Sequence, residues 1–257
     1  MKLTFTAVEG IPMIEPGDDL VAIIGDALSA MHESLMDDDV LVIAQKIVSK
    51  AEDRYVDLAD ISPGDEATDL AEEVDKDPRH VQVILSESNE VVRKRPGVLV
   101  VEHKLGFVHA NAGIDQSNID HMADQERVLL LPEDPDVSAY KLREGLLARY
   151  GVNVAVIIND SIGRAWRVGS LGLAIGVSGF TALEDYVGGT DIFGRELVVT
   201  QVGAADEMAA GASLVMGQTN EQTPIVLVRG YQPREPEDES LRGVQTLIRP
   251  KEQDLFR

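Results

Sequence analysis

The segment His109-Ala110-Asn111-Ala112-Gly113-Ile114-Asp115-Gln116-Ser117-Asn118 carries a carboxylate, two Asn and several small residues, just after the apolar run Val98 to Val101. Small residues let the backbone approach a ligand closely. Asp115 can ligate a hard cation such as Mg²⁺ or Mn²⁺, and Asn118 offers both a donor and an acceptor. The same composition also suits an Asx-rich turn whose side chains cap their own backbone.

A second polar group follows Val154 to Ile158, a run that reads as a fully buried strand. Asn159-Asp160-Ser161-Ile162-Gly163-Arg164-Ala165-Trp166-Arg167 then reads as a loop, at the kind of strand end where open α/β sheets place ligands. Asp160 and Ser161 set a carboxylate beside a hydroxyl, a pairing suited to a divalent cation with a bound phosphate. Arg164 and Arg167, three apart, would share a face on a helical turn and could fork onto phosphate or carboxylate oxygens. The plainer reading is a strand-to-helix turn with Asp160 as N-cap.

Other segments are weaker on their own. Lys50, beside Ser49 and just past the buried run Val40 to Ala44, is placed where a cation can meet phosphates, and an ordinary solvated lysine would look the same. Gly217-Gln218-Thr219-Asn220-Glu221-Gln222-Thr223-Pro224 could cradle a nucleotide or simply join a helix to a strand with Gly217 at C′. Neither a Walker A pattern nor G-x-G-x-x-G occurs. The five histidines lack i, i+4 pairing, which disfavours a zinc site, and His109 reads as a structural strand residue. Ser170 and Ser178 lack a His/Asp partner set for a hydrolytic triad. Two loop carboxylates, cationic side chains and amide-rich turns suit a metal–nucleotide site better than an acid–base hydrolase.

The elements that must position these residues alternate irregularly, which predicts a mixed α+β fold rather than a doubly wound parallel sheet. Lys2 to Val8 reads as a strand. Leu20, Ile23, Ile24, Ala27, Leu28, Met31 and Leu35 keep helical spacing behind an Asp18 or Asp19 N-cap. The strand Val40 to Ala44 leads into Gln45 to Glu52. Two short helices open at Ser62-Pro63 and Asp77-Pro78, with proline at the first position. Extended runs follow at Val91 to Lys94, Val98 to His103 and Phe107 to Ala110. A helix runs from Asp134-Pro135 to about Tyr150, and an apolar, glycine-punctuated segment from Leu171 to Phe180. Glu196 to Val202 reads as a strand, Ala204 to Met216 as a helix, Ile225 to Val228 as a buried strand, and Glu235 to Glu239 as an acidic connection.

Composition sets outer limits. The 257 residues suffice for a substantial core. With 23 basic against 45 acidic residues the formal charge is −22, a field that repels phosphodiester backbones and anionic membranes. Nucleic-acid and membrane partners are therefore not expected. The absence of cysteine excludes disulfides, thiolate catalysis and Cys-ligated metal clusters. The start lacks a signal-peptide h-region, and no apolar run reaches the ~20 residues that span a bilayer. A cytoplasmic location is expected.

Taken in order, the segments resemble the coenzyme F420-0:L-glutamate ligase (F420 γ-glutamyl ligase) family. The landmarks are Gly10 to Ile14 with Gly17-Asp18-Asp19, Ser49-Lys50-Ala51-Glu52, and Asn111 to Asp115 with Ser117-Asn118. Asp160-Ser161 with Gly163-Arg164 and Arg167, Ala174-Ile175-Gly176, Asp191 to Leu197 and Val226 to Gly230 follow. The resemblance implies the family's own α+β fold of mixed sheets with packed helices. It implies residues 1–257 as a single ligase domain of two intertwined subdomains, without a C-terminal nitroreductase-like extension. It also implies a homodimer that uses GTP, Mn²⁺ or Mg²⁺, and K⁺ to add L-glutamate to F420-0 through an acyl phosphate. By position, Asp115, Asp160 and Ser161 match divalent-metal positions. Ile11, Pro12, Met13, Ile14, Gln45, Lys46, Lys50, Asn118 and the loop Gly217, Gln218, Thr219, Asn220, Glu221, Gln222, Thr223 and Pro224 match GTP-contacting positions. Gln218 stands where some members carry a metal-binding Glu, so its amide oxygen would ligate without charge, and Glu221 is a candidate to compensate. Arg164 and Arg167 join Asp115 and Asp160 in the catalytic set by their chemistry alone, as groups for phosphate or substrate carboxylate. The rival readings are an amide ligase of the same fold acting on another carboxylate, a phosphohydrolase using the same two aspartates, and a non-catalytic nucleotide binder.

Overall fold

Alternate residues of three central strands divide between two apolar clusters, and that division organises the molecule. The computed structural model describes residues 2–119, 126–232 and 243–254. In chain order its strands are β1 (Thr4–Ala7), β2 (Val40–Ala44), β3 (Tyr55–Asp57), β4 (Ser88–Arg95), β5 (Val98–His103), β6 (Val108–Ala110), β7 (Arg127–Leu129), β8 (Ala155–Gly163), β9 (Ser170–Ser178), β10 (Glu184–Asp185), β11 (Gln201–Val202) and β12 (Ile225–Arg229). Its α-helices are α1 (Leu20–Ala30), α2 (Gln45–Ala51), α3 (Asp65–Val74), α4 (Pro78–Ser86), α5 (Pro135–Tyr150) and α6 (Ala204–Met216).

The main sheet runs β1-β12-β2-β8-β9, with β2 and β8 parallel and the other neighbours antiparallel. Leu41, Ile43, Val156, Ile158, Ile225 and Leu227 point to one side, into a core shared with α1, α2 and α5. Val40, Val42, Ala155, Ile157, Val226 and Val228 point to the other, against α6. Strands covered on both faces read as continuous apolar runs, the pattern of Val40 to Ala44 and Val154 to Ile158. A second, three-stranded sheet β4-β5-β6 packs with α3 and α4 around its own core of Leu70, Val74, Val81, Ile84, Leu99 and Val101. The α+β expectation holds.

Several helix starts follow their sequence signals. Asp19 caps α1 through the Ala22 N–H, Asp77 caps α4 through the Arg79 N–H, and Asp134 caps α5 through the Val137 N–H. Others depart from expectation. The helix after Ser62-Pro63 begins at Asp65 with Gly64 as its N-cap, so Pro63 lies outside it. α1 stops at Ala30, because the chain turns through His32 at φ 58°, and Leu35 lies beyond it. From Glu196 to Val202 only Gln201–Val202 forms a strand, paired with β10, and Glu196 makes a single bridge to Thr190. The acidic connection Glu235 to Glu239 lies outside the described residues.

The largest correction concerns residues 159–167. Residues 159–163 are strand, not loop, and only 164–167 turn the chain: β8 continues to Gly163 and pairs with β9 up to Gly163↔Ser170. Asp160 is therefore a strand residue, and Arg164 and Arg167 lie in the hairpin tip rather than on one helical face. The ladder is irregular at Ile158/Asn159, where Ile158 faces Gly176 and Asn159 faces Ala174, leaving Ile175 as an extra residue. Such a bulge reverses which side later β9 residues face. A Cβ on Gly172 would meet α6 at the Ala209 carbonyl, whereas one on Gly176 would meet α5 at Pro135. Helices consequently close on β9 from both sides, at the residues opposite Ile158 and Ser161.

Candidate functional site

The parallel pairing of β2 with β8 ends at Ala44↔Asn159. The next residues, Gln45 and Asp160, thus emerge together at the carboxyl edge, where the sheet interior gives way to polar groups. Over that edge comes the end of β6 and the turn that follows it. Asn111, Ala112 and Gly113 all adopt positive φ (51°, 55° and 67°). Asn111 holds this left-handed turn by accepting the Leu99 N–H through Oδ1, and Ala112 is fully buried in it. Non-glycine residues in this region are uncommon, and two in succession mark a conformation maintained by its surroundings. The turn delivers Asp115, which exchanges backbone hydrogen bonds with Leu129 at the end of β7.

Asp115 and Asp160 are held by different partners. Gln45 Nε2 donates to Asp115 Oδ2 at 2.7 Å, with the amide oriented by Ser49 Oγ on its Oε1. Lys46 Nζ lies 3.3 Å from Asp115 Oδ1 and also donates to the Ser117 carbonyl. Burial raises the Asp115 pKa, Lys46 opposes the rise, and the charge of Asp160 adds to it. Two carboxylates therefore repel each other across a partly dehydrated space.

His109 on β6 places Nε2 2.9 Å from Asp160 Oδ2 and Nδ1 2.9 Å from the Ala110 carbonyl. Both neighbours are acceptors, so this geometry favours the doubly protonated ring. Burial alone would lower its pKa, but the hydrogen bond and charge of Asp160 outweigh that, and the net shift is upward. The assignment of His109 to a purely structural strand face is corrected: it is the partner of Asp160. A histidine ending a strand immediately before a carboxylate-bearing loop was the available signal.

Asp160 and Ser161, adjacent on a strand, take partners in different places. Ser161 Oγ donates to Gln218 Oε1 at 2.8 Å, and Gln218 Nε2 donates to Ser213 Oγ. Asn118 Nδ2 donates to the Thr219 carbonyl, tying the Asp115 loop to the Gly217 loop. Glu221 folds back within its own loop, accepting the Thr219 N–H, and that bond lowers its pKa. These contacts gather Gln45, Lys46, Asp115, Asn118, Asp160, Ser161, Gln218 and Thr219 at one edge.

Other expected site residues lie further out. Lys50 is buried in the last turn of α2, one turn beyond Lys46. Ile14 is buried and Ile11 packs on the core by α1, whereas Met13 is exposed; this segment meets the end of α2 through Gly17 N–H on the Ala51 carbonyl. Arg164 Nη1 donates to the Gly169 carbonyl and closes the hairpin tip, and Arg167 is exposed there.

Among the described residues, no group of three or more His, Cys, Asp or Glu is arranged to hold a metal ion. The oxygen donors on offer are two carboxylates, an amide and a hydroxyl. That set fits Mg²⁺ or Mn²⁺ bound in the usual manner of phosphate-transferring sites, through one or two carboxylates with waters and substrate phosphates completing the sphere.

A family model described as F420-0:Gamma-glutamyl ligase matches residues 10–230, a span that includes every residue of this edge. The chain belongs to that family. It is 45% identical over 257 residues, the full length of both chains, to a Methanothermobacter thermautotrophicus protein named coenzyme F420:L-glutamate ligase. Proteins of the same name from Methanopyrus kandleri (44% over 253 residues, 97% of each chain) and Archaeoglobus fulgidus (40% over 260 residues, 100% of this chain and 97% of the other) are also similar. The fold class expected for the family is the one observed, and the chain is a ligase by this kinship. Among the described residues, no helix is long and apolar enough to cross a membrane.

Proposed function

We propose that this protein joins L-glutamate to coenzyme F420-0 at the expense of GTP, giving F420-1 and, after a second round, F420-2. The observation that carries this reading is the convergence of Asp115 and Asp160 with Lys46 and two amide-rich loops at the carboxyl edge of β2 and β8, in a chain of this family. The chemistry needs such a site. A carboxylate oxygen of F420-0 attacks the γ-phosphorus of GTP, the bond to the bridging oxygen breaks, and GDP leaves. The amine of glutamate then attacks the acyl carbon of the resulting acyl phosphate. The C–N bond forms, the C–O bond breaks, inorganic phosphate departs and the nitrogen loses a proton.

All the reactants are anionic, and the protein carries a formal charge of −22. Bound Mg²⁺ or Mn²⁺, held by Asp115 and Asp160 with Gln218 and Ser161 nearby, would supply the charge neutralisation that phosphoryl transfer demands. Lys46 adds a fixed positive charge beside Asp115. The Gly217–Pro224 loop, tied to Asn118, offers backbone and amide groups to the nucleotide. A homodimer is part of the same proposal. It is supported by the arm between β10 and β11, which is knit by its own hydrogen bonds yet exposes Ile192, Phe193, Val198 and Val199.

Mass spectrometry of purified protein with F420-0, L-glutamate, GTP, Mn²⁺ and K⁺ tests the activity. Mono- or diglutamylated product with matching GDP release is expected. GTP turnover without acceptor and amine would instead indicate a hydrolase, and bound but intact GTP a passive binder. Light scattering is expected to give twice the chain mass, reduced to one chain by Phe193→Asp.

A further inference from the structure

The hairpin tip that follows Asp160 and Ser161 is, like the arm between β10 and β11, a place where large apolar side chains are exposed. It holds the sole tryptophan of the chain, Trp166, at 86% exposure beside Val168 at 97%. Trp166 sits at φ 64° in a turn closed by Arg164 on the Gly169 carbonyl. Glycine would satisfy that backbone without strain, so the turn itself gives no reason for a large aromatic ring. Arg164 and Arg167 flank it, a local positive charge in a protein with 45 acidic residues. From Asp160 an extended strand reaches Arg164 within about 13 Å.

We propose that this tip is the platform for the acceptor's planar ring, with Trp166 stacking on the ring and Arg167 pairing with the anionic tail. The proposal rests on the reading that F420-0 is the acceptor. That molecule carries its reacting carboxylate at one end of a phosphorylated tail and a deazaflavin ring at the other. With the carboxylate at the Asp115/Asp160 edge, the ring has to lie several ångströms away, on a surface offering an aromatic face and a cation. β8 carries one end of such a site, and the hairpin tip that continues it carries the other. An aromatic face gives stacking energy to a planar heterocycle, and the guanidinium recognises phosphate oxygens.

The single tryptophan is its own reporter. Titration of F420-0 into the wild-type protein should quench its emission saturably, while GTP or glutamate alone should not. Trp166→Ala should raise the KM for F420-0 about tenfold, with the KM values for GTP and glutamate unchanged, and Trp166→Phe should restore most of the loss. Arg167→Ala should weaken F420-0 more than the same ring lacking its phosphorylated tail. An unaltered KM for F420-0 in Trp166→Ala, or emission indifferent to F420-0, overturns the platform. A Trp166→Ala protein that falls to one chain mass as it loses activity also overturns it, by assigning the tip to contact between copies. Wild-type protein that makes no glutamylated product defeats the functional reading instead, and equilibrium dialysis of F420-0 against wild type and Trp166→Ala still decides the platform.

Discussion

His109→Ala, studied in metal-free protein, probes the charge balance on which the site is built. The imidazolium of His109 is the partner of Asp160 Oδ2, and the Asp160 side chain is only 13% exposed. Removing one member of a buried pair leaves the other charge uncompensated, at a cost of 3–5 kcal/mol in general, estimated as ~3 kcal/mol here because Asp160 keeps the Ser161 N–H on Oδ1. For a chain of this size that lowers Tm by roughly 6–12 °C. His109→Gln, whose amide can donate to Asp160 without charge, should recover roughly half of the loss. The pH dependence has a definite sign. The folded-state pKa of His109 is raised, so its stabilisation is complete below the ordinary value of 6.5 and fades as pH rises through the folded pKa. Urea unfolding of both variants and wild type at pH 6, with EDTA, and again at progressively alkaline pH measures the gap and its closure. Excess Mn²⁺ should narrow the gap as well, because a bound cation replaces the missing imidazolium. A His109→Ala protein within about 1 kcal/mol of wild type at pH 6 would refute the assignment of a charged pair.

Two further substitutions separate chemistry from architecture. Asp115→Asn preserves volume but keeps one acceptor oxygen, so either Gln45 or Lys46 loses its partner, while it removes a buried charge whose raised pKa marks it as a cost to the fold at neutral pH. The lost bond and the relieved charge offset each other, so thermal stability without metal should change little; glutamyl transfer should fall more than roughly 100-fold, and a fully active variant would dismiss the proposed site. Gly176→Ala would set a Cβ 2.4 Å from the Pro135 backbone and push α5 off β9, a loss of about 3 kcal/mol in urea unfolding. Stability equal to wild type would mean that α5 is not seated as described.

Local sequence determined the elements whose signals are local. Val40 to Ala44 and Val154 to Ile158 were readable as doubly buried strands because every position is apolar, and the caps Asp19, Asp77 and Asp134 announce helix starts by bonding to N–H groups two or three residues away. Asp115 and Asp160 stood out because carboxylates among small residues at strand ends are poor choices for a core. Order along the chain also carried the family. Only the tertiary structure could decide which of these groups meet. β2 and β8 pair across more than a hundred residues, and no local pattern says that they lie side by side or in parallel. The bulge at Ile175, the extension of β8 through Asp160 and the approach of His109 depend on that pairing and on β6 packing near β8. A histidine's role is set by what lies across from it, and for His109 that is a carboxylate 51 positions along the chain. Sequence spacing encodes periodicity within an element. The juxtaposition of elements, and with it the charge state of the site, comes from burying both faces of one sheet at once.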